Sequence, residues 1–212
     1  RHKYNFVLVS STNLDSIMEF FHHTPPGTPF VCDSYQAEII LTAMHGMERR
    51  GNYPQYQASN GHSRIWVRGR SKWGYLRRLG LSLKRRVEIS PISDNCLKRN
   101  GFVILARKNT NPARKTIFEE MLNEFYPVDG QIIYSMWEGY LKPGHADQAL
   151  IDFIGERPYE YLHTSGHAYA ETIAKLIETV DPKVIVPMHT ERAEEFSSIP
   201  EFAPWADRVK VL

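Results

Sequence analysis

The chain has 212 residues, 42% hydrophobic and 24% charged, which is enough apolar material for a real core in one or two domains of an ordinary globular protein. No apolar run is long enough to span a bilayer and the basic N-terminus lacks the apolar core of a signal peptide, so membrane and secretory readings are set aside. The net charge of +2 conceals an asymmetry: residues 49–99 hold 13 Lys or Arg against Glu88 and Asp94, a net of +11, while the remainder holds 13 basic and 22 acidic residues, a net of −9. A basic block on an otherwise acidic chain is the footprint of a polyanion binder.

Residues 4–9, Tyr-Asn-Phe-Val-Leu-Val, read as a buried strand. Ser10-Ser11-Thr12-Asn13 can cap the helix that follows, whose stripe is Leu14, Ile17, Met18 and Phe21, and Pro25-Pro26-Gly27 breaks it. A second strand over 29–33 leads at Ser34 into a helix carrying Ala37, Ile40, Leu41 and Met44. Strand and helix alternating at this spacing point to parallel βαβ units. Cys32 and Cys96 fit no C-x-x-C pattern, and two unpaired thiols suit a reducing compartment, which we read as cytoplasm.

Within the basic block, Asn60-Gly61 signals a hairpin turn before the alternation of Arg64-Ile-Trp-Val-Arg68. Trp66, Trp73 and Tyr75 interleave with Arg64, Arg68, Arg70, Lys72, Arg77 and Arg78. Stacking aromatics among phosphate-binding cations suit single-stranded RNA, and a solvated insertion with packed tryptophans is the competing reading. The charge density favours RNA.

Residues 101–106 form another buried strand, and Pro112 to Phe125 an amphipathic helix with Ile117, Met121 and Leu122 inward. A strand over 131–135 ends in Met-Trp137-Glu138-Gly139-Tyr140, and a helix runs from Pro143-Gly144 to about Ile154. Ser135 and Glu138 are better read as cap and turn residues than as cleft lining.

The most informative stretch is Tyr159-Glu-Tyr-Leu-His163-Thr-Ser165-Gly166-His167, then a helix over 168–180 with Ile173, Leu176 and Ile177 on one face, then Lys183-Val-Ile-Val-Pro187-Met-His189-Thr-Glu191. It reads as strand, Gly loop, crossover helix, strand and a second loop, both loops lying at the C-terminal ends of strands, where open parallel sheets bind ligands. Ser165 and Gly166 precede a helix start, whose free N–H groups and dipole favour phosphate. A short helix over 191–196 and a last strand over 208–212 complete the chain.

An H-x-S-G-H followed 22 residues later by P-x-H resembles motifs B and C of the β-CASP branch of metallo-β-lactamase-fold nucleases, the ribonuclease J and cleavage-factor group. Residues 4–34 resemble the opening of the β-CASP domain. Thr190 stands where ribonuclease J types carry glycine. The resemblance implies an α/β chain: a parallel-sheet β-CASP-like domain over 1–157, with 49–99 as a basic insertion, and over 158–212 the returning strands and helices of a metallo-β-lactamase αββα fold. It also implies that His167 sits beside the scissile phosphate, where an imidazole can donate a proton to the leaving oxygen, and that His189 is a zinc ligand. Histidine at motif C accompanies RNA substrates. His163 either orients a phosphate or holds the loop. His2, His22, His23, His45, His62 and His145 have no motif context.

Such nucleases use two zincs, and their first ligand block, H-x-H-x-D-H, does not occur in this sequence. One histidine ligand falls short of the roughly three protein ligands of a catalytic zinc. The chain is therefore expected to be the C-terminal part of a zinc-dependent RNA-processing nuclease, binding no zinc and inactive alone. Its expected partners are single-stranded RNA and the N-terminal half of the parent lactamase domain, with a homo-oligomer left open. A lactamase-fold hydrolase of a small substrate and a non-catalytic RNA- or protein-binding module are the alternatives.

Overall fold

A computed structural model describes residues 2–48, 65–68, 92–108, 116–163, 168–188, 190 and 192–211. The chain divides into two units, Arg1–Thr164 and Ser165–Leu212.

The first unit is built on six parallel strands: β1 (Tyr4–Val9), β2 (Phe30–Cys32), β3 (Ile65–Val67), β4 (Phe102–Ala106), β5 (Gly130–Ser135) and β6 (Tyr159–Tyr161), in the spatial order β3-β2-β4-β1-β5-β6. β1 lies between β4 and β5, with Tyr4 opposite both Phe102 and Gly130. Its Phe6 and Leu8 enter one core with α3 (Asp94–Asn100), α4 (Ile117–Asp129) and α5 (Gln148–Ile154). Val7 and Val9 enter a second core with α1 (Leu14–His22) and α2 (Ser34–Glu48) on the opposite face. Burial on both faces is why β1 is a continuous apolar run rather than an alternating one.

The winding explains the layers. From β1 the chain steps outward through β2 to β3, and from β4 it steps the other way through β5 to β6. Right-handed crossovers in opposite directions put their helices on opposite faces. The direction reverses at β1 and β4, and the crevice beyond their C-terminal ends is where such sheets bind ligands.

Local signals set the helix ends. The Asn13 side chain accepts from the Ser16 N–H at the start of α1, and Asp33 accepts from the Gln36 N–H at 2.9 Å at the start of α2. Thr116 and Glu119 form a reciprocal capping box, so α4 begins at Ile117. Pro112, expected in its first turn, lies outside the described residues. α5 begins at Gln148, capped by Asp147, because Pro143–His145 form a turn instead. β3 pairs with β2 in parallel register, and the Asn60-Gly61 hairpin signal lies outside the described residues. β6 pairs with β5 and so belongs to the first unit.

In the second unit, α6 (Ala170–Val180) ends at Asp181, which takes a left-handed φ of 46°. Two 3-10 segments follow, Ala193–Ser198 and Pro200–Arg208, with Phe196 stacked on Phe202 at 4.1 Å. Of the strands expected over 183–187 and 208–212, the described residues form one bridge, Ile185 to Val209. Leu176, expected on one face with Ile177, is 61% exposed where Ile177 is 7% exposed. The described elements of this unit meet α6 along Ile177 and leave Leu176, Val180, Val184, Val186 and Met188 in solvent. Among the described residues no helix is long and apolar enough to cross a membrane.

Gly101 closes α3 with φ 71°, and a Cβ there would lie 2.3 Å from the Lys3 carbonyl oxygen, which accepts the Phe102 N–H at 3.0 Å. Gly101→Ala meets both a strained conformation and a backbone clash, and should lower unfolding free energy by roughly 2 kcal/mol or more. Urea unfolding checks this, and a wild-type midpoint would contradict it.

Candidate functional site

At the C-terminal rim of the first unit's sheet, the loops that follow β1, β2 and β4 are tied together. The Gln36 amide donates to the Ser11 carbonyl at 3.0 Å, and Arg107, just after β4, pairs with Asp33, just after β2. The Arg107 guanidinium lies 4.5 Å from the Tyr35 ring centroid. Its Nε is buried without a hydrogen-bond partner among the described residues. Lys108 pairs with Asp147. Each of these rim cations thus has a carboxylate of its own chain. Cys32 is no nucleophile: burial pushes its thiol well above the usual range, and the neighbouring Asp33 adds to that.

The loop after β5 is different, because its aromatic rings are left in water. Tyr134 is fully buried and donates its phenol to the Trp137 carbonyl at 2.8 Å, and burial raises its pKa above the ordinary tyrosine range. Trp137 is 48% exposed. Its indole lies across Gly139, where a Cβ would come within 2.4 Å of ring atoms, so only glycine lets the ring lie there. Tyr140 meets the indole edge-on at 5.4 Å, and the His145 ring lies 5.1 Å away. Ser135 is buried, and Glu138 is taken up by Lys142 across the 3-10 turn Glu138–Leu141.

Beside this loop runs the edge strand β6. Tyr159 and Tyr161, two residues apart, share one face of it, and both contact the buried Tyr134 ring, at 5.6 and 6.0 Å. His163 follows, its ring 6.1 Å from that of Tyr161, with Nδ1 buried and without a hydrogen-bond partner among the described residues.

Of the residues singled out from sequence, His163, Trp66 and Arg68 are described. Ser165, Gly166, His167 and His189 lie outside the described residues, as do Arg64, Arg70, Lys72 and Trp73, so no distance between the motif histidines enters here. Arg68 donates to the Ile92 carbonyl at 3.2 Å and pairs with Asp94, which fastens β3 to the start of α3. Trp66 packs, partly buried, against the core. Both therefore have a structural role within the sheet edge. Among the described residues no group of three or more His, Cys, Asp or Glu could hold a metal ion, so they do not fit a catalytic zinc. Trp137, Tyr159 and Tyr161 carried a legible signal as a period-2 tyrosine pair and a tryptophan two residues before a glycine, but sequence reasoning assigned them no site.

Residues 157–198 match the family described as Zn-dependent metallo-hydrolase RNA specificity domain. The matched segment runs from β6 through both histidine loops, and it supports kinship with the metallo-β-lactamase/β-CASP superfamily. Neither the curated proteins nor the solved structures give a match to the chain.

The hydrogen bond from Lys108, helped by the Leu150 N–H that Asp147 caps, holds the Asp147 carboxyl below the usual range. A depressed pKa means the ion pair stabilises the fold above the unfolded carboxylate pKa of about 4 and is lost as pH falls below it. Asp147→Asn keeps the cap and loses the charge, so its deficit should stay under about 1 kcal/mol at neutral pH and vanish in acid. Asp147→Ala should lose about 1 kcal/mol more, at any pH, through the missing cap. Denaturant titrations from pH 7 down through the acid range check this, and an Asn deficit that does not shrink as the pH falls below about 4 would contradict it.

Proposed function

We propose that this chain is the substrate-holding part of a zinc-dependent RNA-processing phosphodiesterase of the β-CASP kind, related to the ribonuclease J and cleavage-factor group. The observation that carries the reading is the coincidence of the RNA-specificity match over 157–198 with both histidine segments, 163–167 and 187–191. The net charge of +11 over 49–99 supports a polyanionic substrate.

In this reading the Ser165 and Gly166 amides and His167 hold the non-bridging oxygens of the reacting phosphate, and His167 passes a proton to the leaving oxygen. His163 positions that loop. His189 is the one ligand this chain brings toward zinc, and the remaining ligands belong to an H-x-H-x-D-H block supplied by the N-terminal half of the same lactamase domain. The apolar surface of the second unit, from Leu176 to Met188, suits burial against that half. Alone, the chain binds RNA and does not cleave it.

Two measurements test this. The chain's affinity for a labelled single-stranded RNA should fall with salt along a log–log slope of about −2 or steeper, since each neutralised phosphate contributes about −0.7. A flat slope would favour a small-substrate hydrolase. In the gene product that carries the zinc block, His167→Ala and His189→Ala should each cut RNA hydrolysis by about a hundredfold or more. Wild-type rates in either variant would overturn the assignment.

A further inference from the structure

The aromatic surface around β6 is a feature of the first unit that neither core uses. Trp137, Tyr140, Tyr159 and Tyr161 are each between 38% and 48% exposed, although buried Tyr134 lies in contact with both β6 tyrosines. Large rings left half in water are an unusual outlay of apolar area unless something covers them. These rings are also held in place. Gly139 leaves room for the indole and Tyr140 closes one edge of it, while the β-strand sets the direction of Tyr159 and Tyr161. A rigid aromatic face loses little freedom when a ligand arrives.

The arrangement points to planar, separated groups. Residues two apart on a strand are about 6.6 Å apart, wider than the roughly 3.4 Å repeat of stacked bases. Each ring would then take its own base from a splayed single strand. In sequence the row Tyr159, Tyr161, His163 leads directly into the H-x-S-G-H motif, and all three residues lie within the segment matched as an RNA specificity domain. Lys142 closes the turn Glu138–Leu141 that carries Tyr140, so it stands at the margin of the same surface. Glu138 takes one of its three N–H donors and leaves others for phosphate.

We propose that Trp137, Tyr159 and Tyr161 form a base-stacking platform for unpaired bases of a single-stranded RNA, with Lys142 at its edge against the backbone. The inference rests on the RNA reading above and deepens it: the basic block supplies charge, and the platform detects bases.

The test uses the full 212-residue chain and two fluorescein-labelled oligomers of equal length, an oligouridylate and an abasic ribose-phosphate chain of the same charge. Anisotropy titrations at one low salt concentration compare wild type with Trp137→Ala, Tyr161→Ala and Trp137→Phe. Each alanine variant should weaken oligouridylate binding by about tenfold and abasic binding by no more than about twofold, and Trp137→Phe should retain most of the affinity. Tyr161 lies on an exposed edge, so its variant reports even where Trp137→Ala disturbs the turn, and circular dichroism verifies both folds. Equal losses for both oligomers, or no loss for either, would overturn the platform. Steep salt dependence in wild type with unmoved variants would leave the RNA reading standing without it. Failure of wild type to bind either oligomer would remove the RNA reading and the platform together. Variants that abolish self-association in sedimentation while keeping oligouridylate affinity would make the face a protein interface and overturn the proposal.

Discussion

β1 is hydrogen-bonded along both edges, to β4 on one side and β5 on the other, and it buries side chains on both faces. That double pairing fixes the rest of the first unit. A strand so enclosed reaches solvent at its two ends rather than along its length. The reversal of winding at β1 and β4 then opens a crevice at the C-terminal end. Phe6 and Phe102, with Phe125 of α4 and Tyr4, build an aromatic knot under the sheet, with Phe6 edge-on to Phe102 at 5.3 Å and Phe102 edge-on to Phe125 at 5.2 Å. Truncating one such ring would leave a cavity against its neighbours, and core truncations of that size cost roughly 3–5 kcal/mol.

The edges of the same sheet behave differently. β3 is fastened by Arg68 to Asp94 and the Ile92 carbonyl, so its basic residue serves the fold. β6 is fastened by the Gln131 side chain of β5, which donates to Glu160, and by Tyr126, which donates to the Pro158 carbonyl, yet its residues are exposed on both faces. Edge strands are natural docking lines. Here the edge carries two tyrosines, and in sequence it leads directly into the H-x-S-G-H motif.

Much of the first unit was legible because its signals were local and agreed with one another. Tyr4–Val9 and Phe102–Ala106 are apolar on both faces, and only a doubly covered parallel strand needs that pattern. The start of α4 was misplaced because Pro112 resembles an N1 proline, whereas the Thr116-x-x-Glu119 box was the stronger start signal. Ile65 and Val67 face inward in a parallel pair with β2, a long-range choice that no local signal reveals. Leu176 illustrates the opposite limit: periodicity shows which face of a helix is apolar, but not whether a second layer covers it. The exposed aromatic surface was hidden in plain letters, since a tyrosine on a strand reads as core until its burial is known.

Photo-crosslinking tests most directly where this chain holds its ligand. A single-stranded RNA carrying thiouridine, irradiated on the chain and mapped by mass spectrometry, should leave adducts on Trp137, Tyr159 or Tyr161 and in the peptide bearing residues 163–167. Adducts confined to the α1 and α2 face, or an absence of adducts at saturating RNA, would contradict the account.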